Sequence, residues 1–225
     1  MKYLKLKAFA GLFFLLSIMA LALFLPAGTL NYWQAWFFLI VFGVSVFAIT
    51  VYFMVKDPKL LERRVQAVPT AEKETSQKII QSIVGLAFIS IFILSAFDHR
   101  FIWSIMPSFM PVAGNVLVVF GLLIVFFVFK ENTFTSATIE IYSEQKVIST
   151  GPYSFVRHPM YSGTFIMLIG VPLSLGSWWG LLAVIPVILV FIWRLFGEEK
   201  LLSQNLPGYK EYCTKVRWRL IPGVF

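Results

Sequence analysis

Charged side chains are scarce in this chain: they make up 13% of its 225 residues, where a soluble globular domain carries roughly a quarter. That shortage, with 59% apolar residues and a mean hydropathy of +0.82, excludes an ordinary soluble protein and equally a disordered or collagen-like one. A single cysteine, Cys213, rules out an internal disulfide. With only His99 and His158 beside it, no group of residues is spaced as a metal site, and no metal is expected. GxGxxG, GxxxxGK[ST] and HExxH are all missing, so the sequence carries neither a glycine-rich nucleotide loop nor a zinc-hydrolase helix.

What the chain has is apolar length. A hydrocarbon core of about 30 Å needs about 20 apolar helical residues. Uncharged runs of that order predict spans over 8–25, 33–55, 79–97 and 112–129. The uncharged stretch 160–193 is too long for one span and is interrupted at 176–180, which predicts a tight hairpin of two shorter helices. The expectation is an all-α integral membrane protein of about six transmembrane helices. Its regions are a four-helix part (1–129) and a C-terminal part (130–225), integrated into one domain. Trp33 and Trp36, and Trp178 and Trp179 at the hairpin tip, fall where interfacial anchors belong. A cleaved signal peptide is the rival reading of the first run. That run exceeds the roughly 7–15 residues usual for such a segment, and Pro26 spoils the cleavage site, so a retained span is expected.

The positive charge is lopsided. Alternating crossings put eighteen of the nineteen Lys and Arg on one side and leave Arg100 alone opposite, which predicts that both termini are cytoplasmic. A formal net charge of +8 so distributed suits a membrane surface, and no nucleic acid is expected as a partner. The loop 56–78 reads as solvated, with one surface helix around 59–64 and no chemistry. Asp98, His99 and Arg100 read as a solvated turn, Cys213 as packing, and the basic cluster 215–219 as a lipid-headgroup contact.

The densest polar segment is Gly151-Pro152-Tyr153-Ser154-Phe155-Val156-Arg157-His158-Pro159-Met160-Tyr161-Ser162-Gly163. Pro159 disfavours helix at His158 and suits an early helical position, so a helix should start there with free N–H groups facing forward. Arg157 and His158 in front of such a terminus make a receiver for a carboxylate or phosphate. Gly163, one turn in, permits close approach of a backbone or a ligand. Near the end of the hairpin, Arg194 and Glu198 are four apart on one helical face, with Glu199 turned about 100° away. Then come Pro207-Gly208-Tyr209, Tyr212 and the basic tail, which can fold over both elements as a lid.

The order and spacing of these blocks closely resemble the isoprenylcysteine carboxyl methyltransferase family, in its bacterial form, over roughly residues 130–225. Phospholipid N-methyltransferases and membrane sterol reductases share a looser version of the pattern. The resemblance implies a cytoplasmic S-adenosylmethionine site lined by Arg157, His158, Pro159, Tyr161 and Gly163, approached by Gly151, Pro152 and Tyr153, with Glu199 helping to hold the cofactor. It implies that Arg194 and Glu198 face the methyl acceptor and that Tyr209 and Tyr212 belong to the closing tail. The acceptor would be lipid-like or apolar, with an isoprenylcysteine-type carboxylate as the family substrate, and the setting a prokaryotic cytoplasmic membrane. An NADPH-dependent reductase and a non-enzymatic transporter or scaffold are the alternatives. The absence of ionisable residues from the middle of the spans speaks against a transporter.

Overall fold

The computed structural model describes residues 2–65, 75–135 and 146–225, and every regular element among them is helical. The helices are α1 (Lys2–Ala27), α2 (Trp33–Lys56), α3 (Pro58–Val65), α4 (Thr75–Phe101), α5 (Met110–Glu131), α6 (Pro159–Ser174), α7 (Trp179–Asn205) and α8 (Tyr209–Lys215), with a 3₁₀ turn at Gly151–Ser154. Five of them, α1, α2, α4, α5 and α7, are long and apolar enough to cross a membrane. The sixth predicted span, α6, has 16 residues and a length of about 24 Å, short of the hydrocarbon thickness.

The expected hairpin exists, but its two arms are unequal. Helix α7 has 27 residues and runs unbroken past Trp193, so Arg194, Glu198 and Glu199 all ride on the spanning helix. The arms also pack less against each other than against neighbours: α6 lies chiefly on α5, and α7 on α4. The α5–α6 contact is close because glycines face each other. A Cβ at Gly121 would stand 2.4 Å from the Gly163 carbonyl oxygen, and one at Gly114 would stand 2.2 Å from the Ser174 nitrogen. Without a hydrophobic drive between helices in lipid, such backbone contact is what holds spans together. Met19, Leu23, Phe38, Ile91, Phe92, Leu168, Val171 and Val187 fill the core between the layers.

The end opposite the predicted site differs from expectation. Asp98 is buried at 2% exposure and is no part of a solvated turn. Its carboxylate accepts from the Ser104 amide and hydroxyl, each at 2.7 Å, and from the Ser177 hydroxyl of the α6–α7 turn. The ring of His99 stacks on Tyr32 at 3.8 Å, the Tyr32 hydroxyl donates to the Leu175 carbonyl at 2.7 Å, and Arg100 donates to the Pro26 carbonyl. These bonds tie three inter-helix connections together. Trp33, Trp36, Trp103, Trp178 and Trp179 stand exposed around this end, as an aromatic interfacial belt would.

Candidate active site

The chain from 146 to 158 approaches α6 through a tight turn. Gly151 has φ +55 and sits against Glu131, whose carboxylate accepts from the Thr150 hydroxyl. Pro152 starts the 3₁₀ turn and Pro159 is the first residue of α6, as its fixed φ favours. The two amide groups before α6 are not free: Arg157 N donates to Trp218 O and His158 N to Arg219 O, each at 2.9 Å. The C-terminal tail therefore returns to lie against the start of α6 and takes up the two amides just ahead of the helix.

That return gathers charge. Glu199 Oε1 lies 3.1 Å from Arg157 Nη1 and 3.3 Å from His158 Nε2, while Glu199 Oε2 lies 2.9 Å from Arg219 Nε. The Arg157, His158 and Glu199 side chains are all buried or nearly so. Arg219 was no site residue on sequence grounds. The basic run 215–219 reads as a lipid contact until the tail is seen to fold back, and nothing in its spacing announces a partner.

One turn away is a second cluster. The buried Tyr161 hydroxyl donates to Glu198 Oε2 at 2.8 Å, and the Arg194 guanidinium stands against the same phenol. Arg194 and Glu198 thus do share a helical face, but they meet through Tyr161 of α6. Tyr161 also forms an aromatic wall with Phe191 (edge-on, 5.6 Å) and with His158 (5.7 Å). Gly163 is spent on the α5 contact.

Helix α8 closes over this region with Tyr209 and Tyr212 buried, packed with Leu206, Val216, Val147, Tyr153 and Leu202. The Tyr212 hydroxyl donates to Tyr153 O at 2.7 Å, and Asn132 Nδ2 donates to the Tyr153 hydroxyl at 3.0 Å. Gly208, at φ +83, supplies the left-handed residue that turns α7 into α8. Burial pushes the phenols of Tyr153, Tyr209 and Tyr212 well above their ordinary range, and for Tyr209 nearby Glu199 adds to the effect.

Two polar atoms here are buried without a hydrogen-bond partner among the described residues: Tyr209 Oη and Arg157 Nε. Buried donors are normally satisfied, so a pair left over at one place marks where a ligand with acceptor atoms belongs. Of the site residues expected from sequence, Arg157, His158, Tyr161, Arg194, Glu198, Glu199, Tyr209 and Tyr212 come together on the facing ends of α6, α7 and α8, whereas Gly151 lies against Glu131 and Gly163 against α5. A cavity of about 700 Å³ lies elsewhere, at the far end, between Asn31, Gln34, His99, Arg100 and Ser104. None of the site residues lines it.

Residues 109–207 match the family model described as phospholipid methyltransferase. The match runs from the start of α5 through α7 and takes in Arg157, His158, Tyr161, Arg194, Glu198 and Glu199, but stops short of Tyr209, Tyr212 and Arg219. No curated protein matches the chain. This segment, which carries Arg157, His158, Tyr161, Arg194, Glu198 and Glu199, is thus similar to the phospholipid methyltransferase family.

Proposed function

We propose that this protein is an integral-membrane methyltransferase that takes its methyl group from S-adenosylmethionine and passes it to a lipid-like acceptor arriving sideways from the bilayer. By resemblance that acceptor is an isoprenylcysteine-type carboxylate, and the site faces the cytoplasm of a prokaryotic cell. The observation that carries the reading is the pair of unsatisfied buried donors, Tyr209 Oη and Arg157 Nε, beside Glu199; Arg157 and Glu199 fall inside the family-matched segment and Tyr209 just beyond it.

The residues fit the cofactor. S-adenosylmethionine presents a carboxylate, an ammonium, ribose hydroxyls, an apolar adenine and a sulfonium, so its pocket needs donors, an acid and aromatic walls. Arg157 and Tyr209 offer the donors, Glu198 and Glu199 the acids, and Tyr161 and Phe191 the walls. When bound, the cofactor supplies an electrophilic methyl group. The Tyr161 ring can favour nearby positive charge by about 0.5–2 kcal/mol according to how dry the site is. Helix α8 and the tail exclude water, and alignment then does most of the work in an in-line displacement. Arg194, with its planar fork, suits an acceptor carboxylate, and Tyr161 and Glu198 hold the guanidinium in place. A carboxylate acceptor loses no proton, so no base is required. An amine acceptor would give its proton to Glu198.

The test is calorimetry on the full chain in detergent, with S-adenosylmethionine, its demethylated product and NADPH as titrants. Binding of the first two, lost in Arg157→Ala/His158→Ala and weakened in Tyr209→Phe, is expected. Binding of NADPH alone would replace this reading by the reductase. No nucleotide binding in folded protein would remove the enzyme reading altogether.

A further inference from the structure

The cavity at the end opposite the Glu199 cluster lies among three connections: the α1–α2 turn, the chain between α4 and α5, and the α6–α7 turn. Its volume of about 700 Å³ falls within the roughly 300–1,000 Å³ of small-molecule sites, and Thr29, Ile105 and Ser108 stand exposed along its mouth. The buried Asp98 gives it its shape. The Asp98 carboxylate holds Ser104 of the α4–α5 connection and Ser177 of the α6–α7 turn, and its carbonyl accepts from the Trp103 amide at 3.2 Å. The Ser104 hydroxyl in turn accepts from the Trp178 amide at 3.2 Å. A buried carboxylate is costly unless satisfied in this way, and here its bonds fix two of the three connections against each other.

Arg100 lines this cavity, and among the described residues no carboxylate pairs with it. Its guanidinium donates through Nη1 to the Pro26 carbonyl at 3.2 Å, lies 5.5 Å from the Phe101 ring centre, and fits against Gly28, where a Cβ would stand 3.5 Å away. Most of its five N–H donors are left over, and a planar fork held in this way suits an oxyanion. Asp98 does not neutralise it, being spent on three donors of its own. The side-chain oxygen of Gln34, another lining residue, is buried with no partner among the described residues and calls for a donor. Ile102, the residue after α4, has φ +54, the one positive φ outside glycine among the described residues. A β-branched side chain is a steric outlier there, where a helix end ordinarily places glycine. Such strain persists where surrounding bonds over-determine it, as the Trp103 and Ser104 bonds to Asp98 do, and it collects at ligand clamps.

The cavity sits at the level of the exposed tryptophans: Trp33 lines it, and Ile102 and Ile105 stand exposed at its rim. An oxyanion that lodges at that depth and carries apolar chains is a phospholipid. We propose that this cavity binds the headgroup of an anionic phospholipid with free hydroxyls, of the phosphatidylglycerol kind. Arg100 takes the phosphate, Gln34 accepts from a headgroup hydroxyl, and the acyl chains leave over Ile102 and Ile105 into the leaflet at that end. No residue of the Glu199 cluster lines the cavity, so the lipid is a resident ligand and not the methyl acceptor. The proposal stands apart from the methyltransferase reading and does not depend on it.

The experiment uses the full chain in neutral maltoside micelles and a phosphatidylglycerol with a photoreactive diazirine at the glycerol end of one acyl chain, its adducts mapped by peptide mass spectrometry. Adducts are expected in 28–34 and 102–108. Unlabelled dihexanoyl phosphatidylglycerol should suppress them at about fivefold lower concentration than dihexanoyl phosphatidylcholine, whose headgroup has no donor. Arg100→Gln should lower them about tenfold or more, the order of one charge-assisted bond, while adducts on the basic stretch 215–219 stay as in wild type. Ser108→Trp adds bulk at the exposed mouth and removes no side-chain bond among the described residues, so it should abolish the same adducts, and it decides the matter if Arg100→Gln does not fold. Adducts undiminished in either folded variant, or suppressed by neither unlabelled lipid, would overturn the proposal, since they report ordinary lipid around the tryptophan belt. Suppression by free glycerol phosphate at the same concentration as the lipid would overturn the lipid and assign the cavity to a soluble phosphate ester. An equal loss of adducts at 215–219 in Arg100→Gln would mark a structural role for the arginine and also count against the site.

Discussion

Glu199 accepts from two arginines and faces a histidine, and each of those partners belongs to a different piece of backbone from its own. Removing its charge leaves Arg157 and His158 buried beside a neutral amide, the situation in which breaking a paired charge is costly. Glu199→Gln should therefore destabilise the protein by about 3 kcal/mol, read as a lower unfolding midpoint in detergent. The two tyrosines of α8 should separate cleanly. Tyr212→Phe removes a 2.7 Å bond that joins α8 to Tyr153 and should cost about 1 kcal/mol. Tyr209→Phe removes a hydroxyl with no partner and should leave stability within about 0.5 kcal/mol while weakening cofactor binding. Equal destabilisation by both would mean that Tyr209 is merely packed. The raised phenols also set an alkaline limit. A phenol whose folded pKa lies above its unfolded value of about 10 contributes stability below that pH and loses it as the pH climbs through the folded value. With Tyr153, Tyr209 and Tyr212 so shifted, their tyrosinate absorbance should appear together with unfolding above about pH 10, and not before it. At this scale the sequence spoke where chemistry is local: Arg157 and His158 stand next to a proline that starts a helix, and Glu198 and Glu199 follow an arginine at helical spacing. It was silent on Arg219, which reaches Glu199 only because backbone bonds link Arg157 and His158 to residues sixty places away.

Helices were legible in their existence and blurred in their partners. Uncharged length alone locates four of the five long spans to within about six residues, because the bilayer imposes it, whereas α7 continues well past the uncharged run that ends at Trp193. Length carries no information on which helix lies against which, so the hairpin drawn from sequence had two short, mutually packed arms, where α6 in fact binds α5. The signal was in the glycines: Gly114, Gly121, Gly163 and Gly170 recur on one face of each helix at intervals that bring them together. Gly121→Ala places a methyl group 2.4 Å from a backbone oxygen that has no rotamer to give, and should cost about 1–3 kcal/mol as the helices part. Gly85→Ala on α4 meets nothing within 4 Å and should gain about 0.5–1 kcal/mol from helix propensity. Melting both variants in the same detergent checks the contrast; a loss at Gly85 comparable to that at Gly121 would mean that glycine packing is not what α5 and α6 rely on. Helix α3 was the element sequence undervalued. Its mixed charges resemble any solvated helix, and only the structure shows it clamped to the chain just past α5 through Asp57, Thr133 and Arg63.

Across the whole molecule, polarity is divided between two ends that do different things. One holds Asp98, His99, Tyr32 and Ser177 in a satisfied network ringed by exposed tryptophans, with Arg100 as its lone basic residue. The other collects α3, the start of α6, the end of α7 and α8, and almost all the positive charge. Because α7 runs from Trp179 beside the first network to Asn205 beside the second, the α1–α2 turn and α8 lie at opposite ends of one spanning helix. If the basic end is retained in the cytoplasm, as lysine and arginine placement predicts, both termini are inside and Thr29 is outside. Both Thr29 and Lys210 are exposed, so each can be replaced by cysteine in a Cys213→Ser background and probed with a membrane-impermeant thiol reagent. Thr29→Cys should label in intact right-side-out vesicles and Lys210→Cys only in inverted or opened ones. Labelling of both from one side would mean that α7 does not cross, since the α6–α7 turn is bonded at the α1–α2 end and α8 follows the other end of α7. The cytoplasmic site would then lose its basis even though every contact within it stood unchanged.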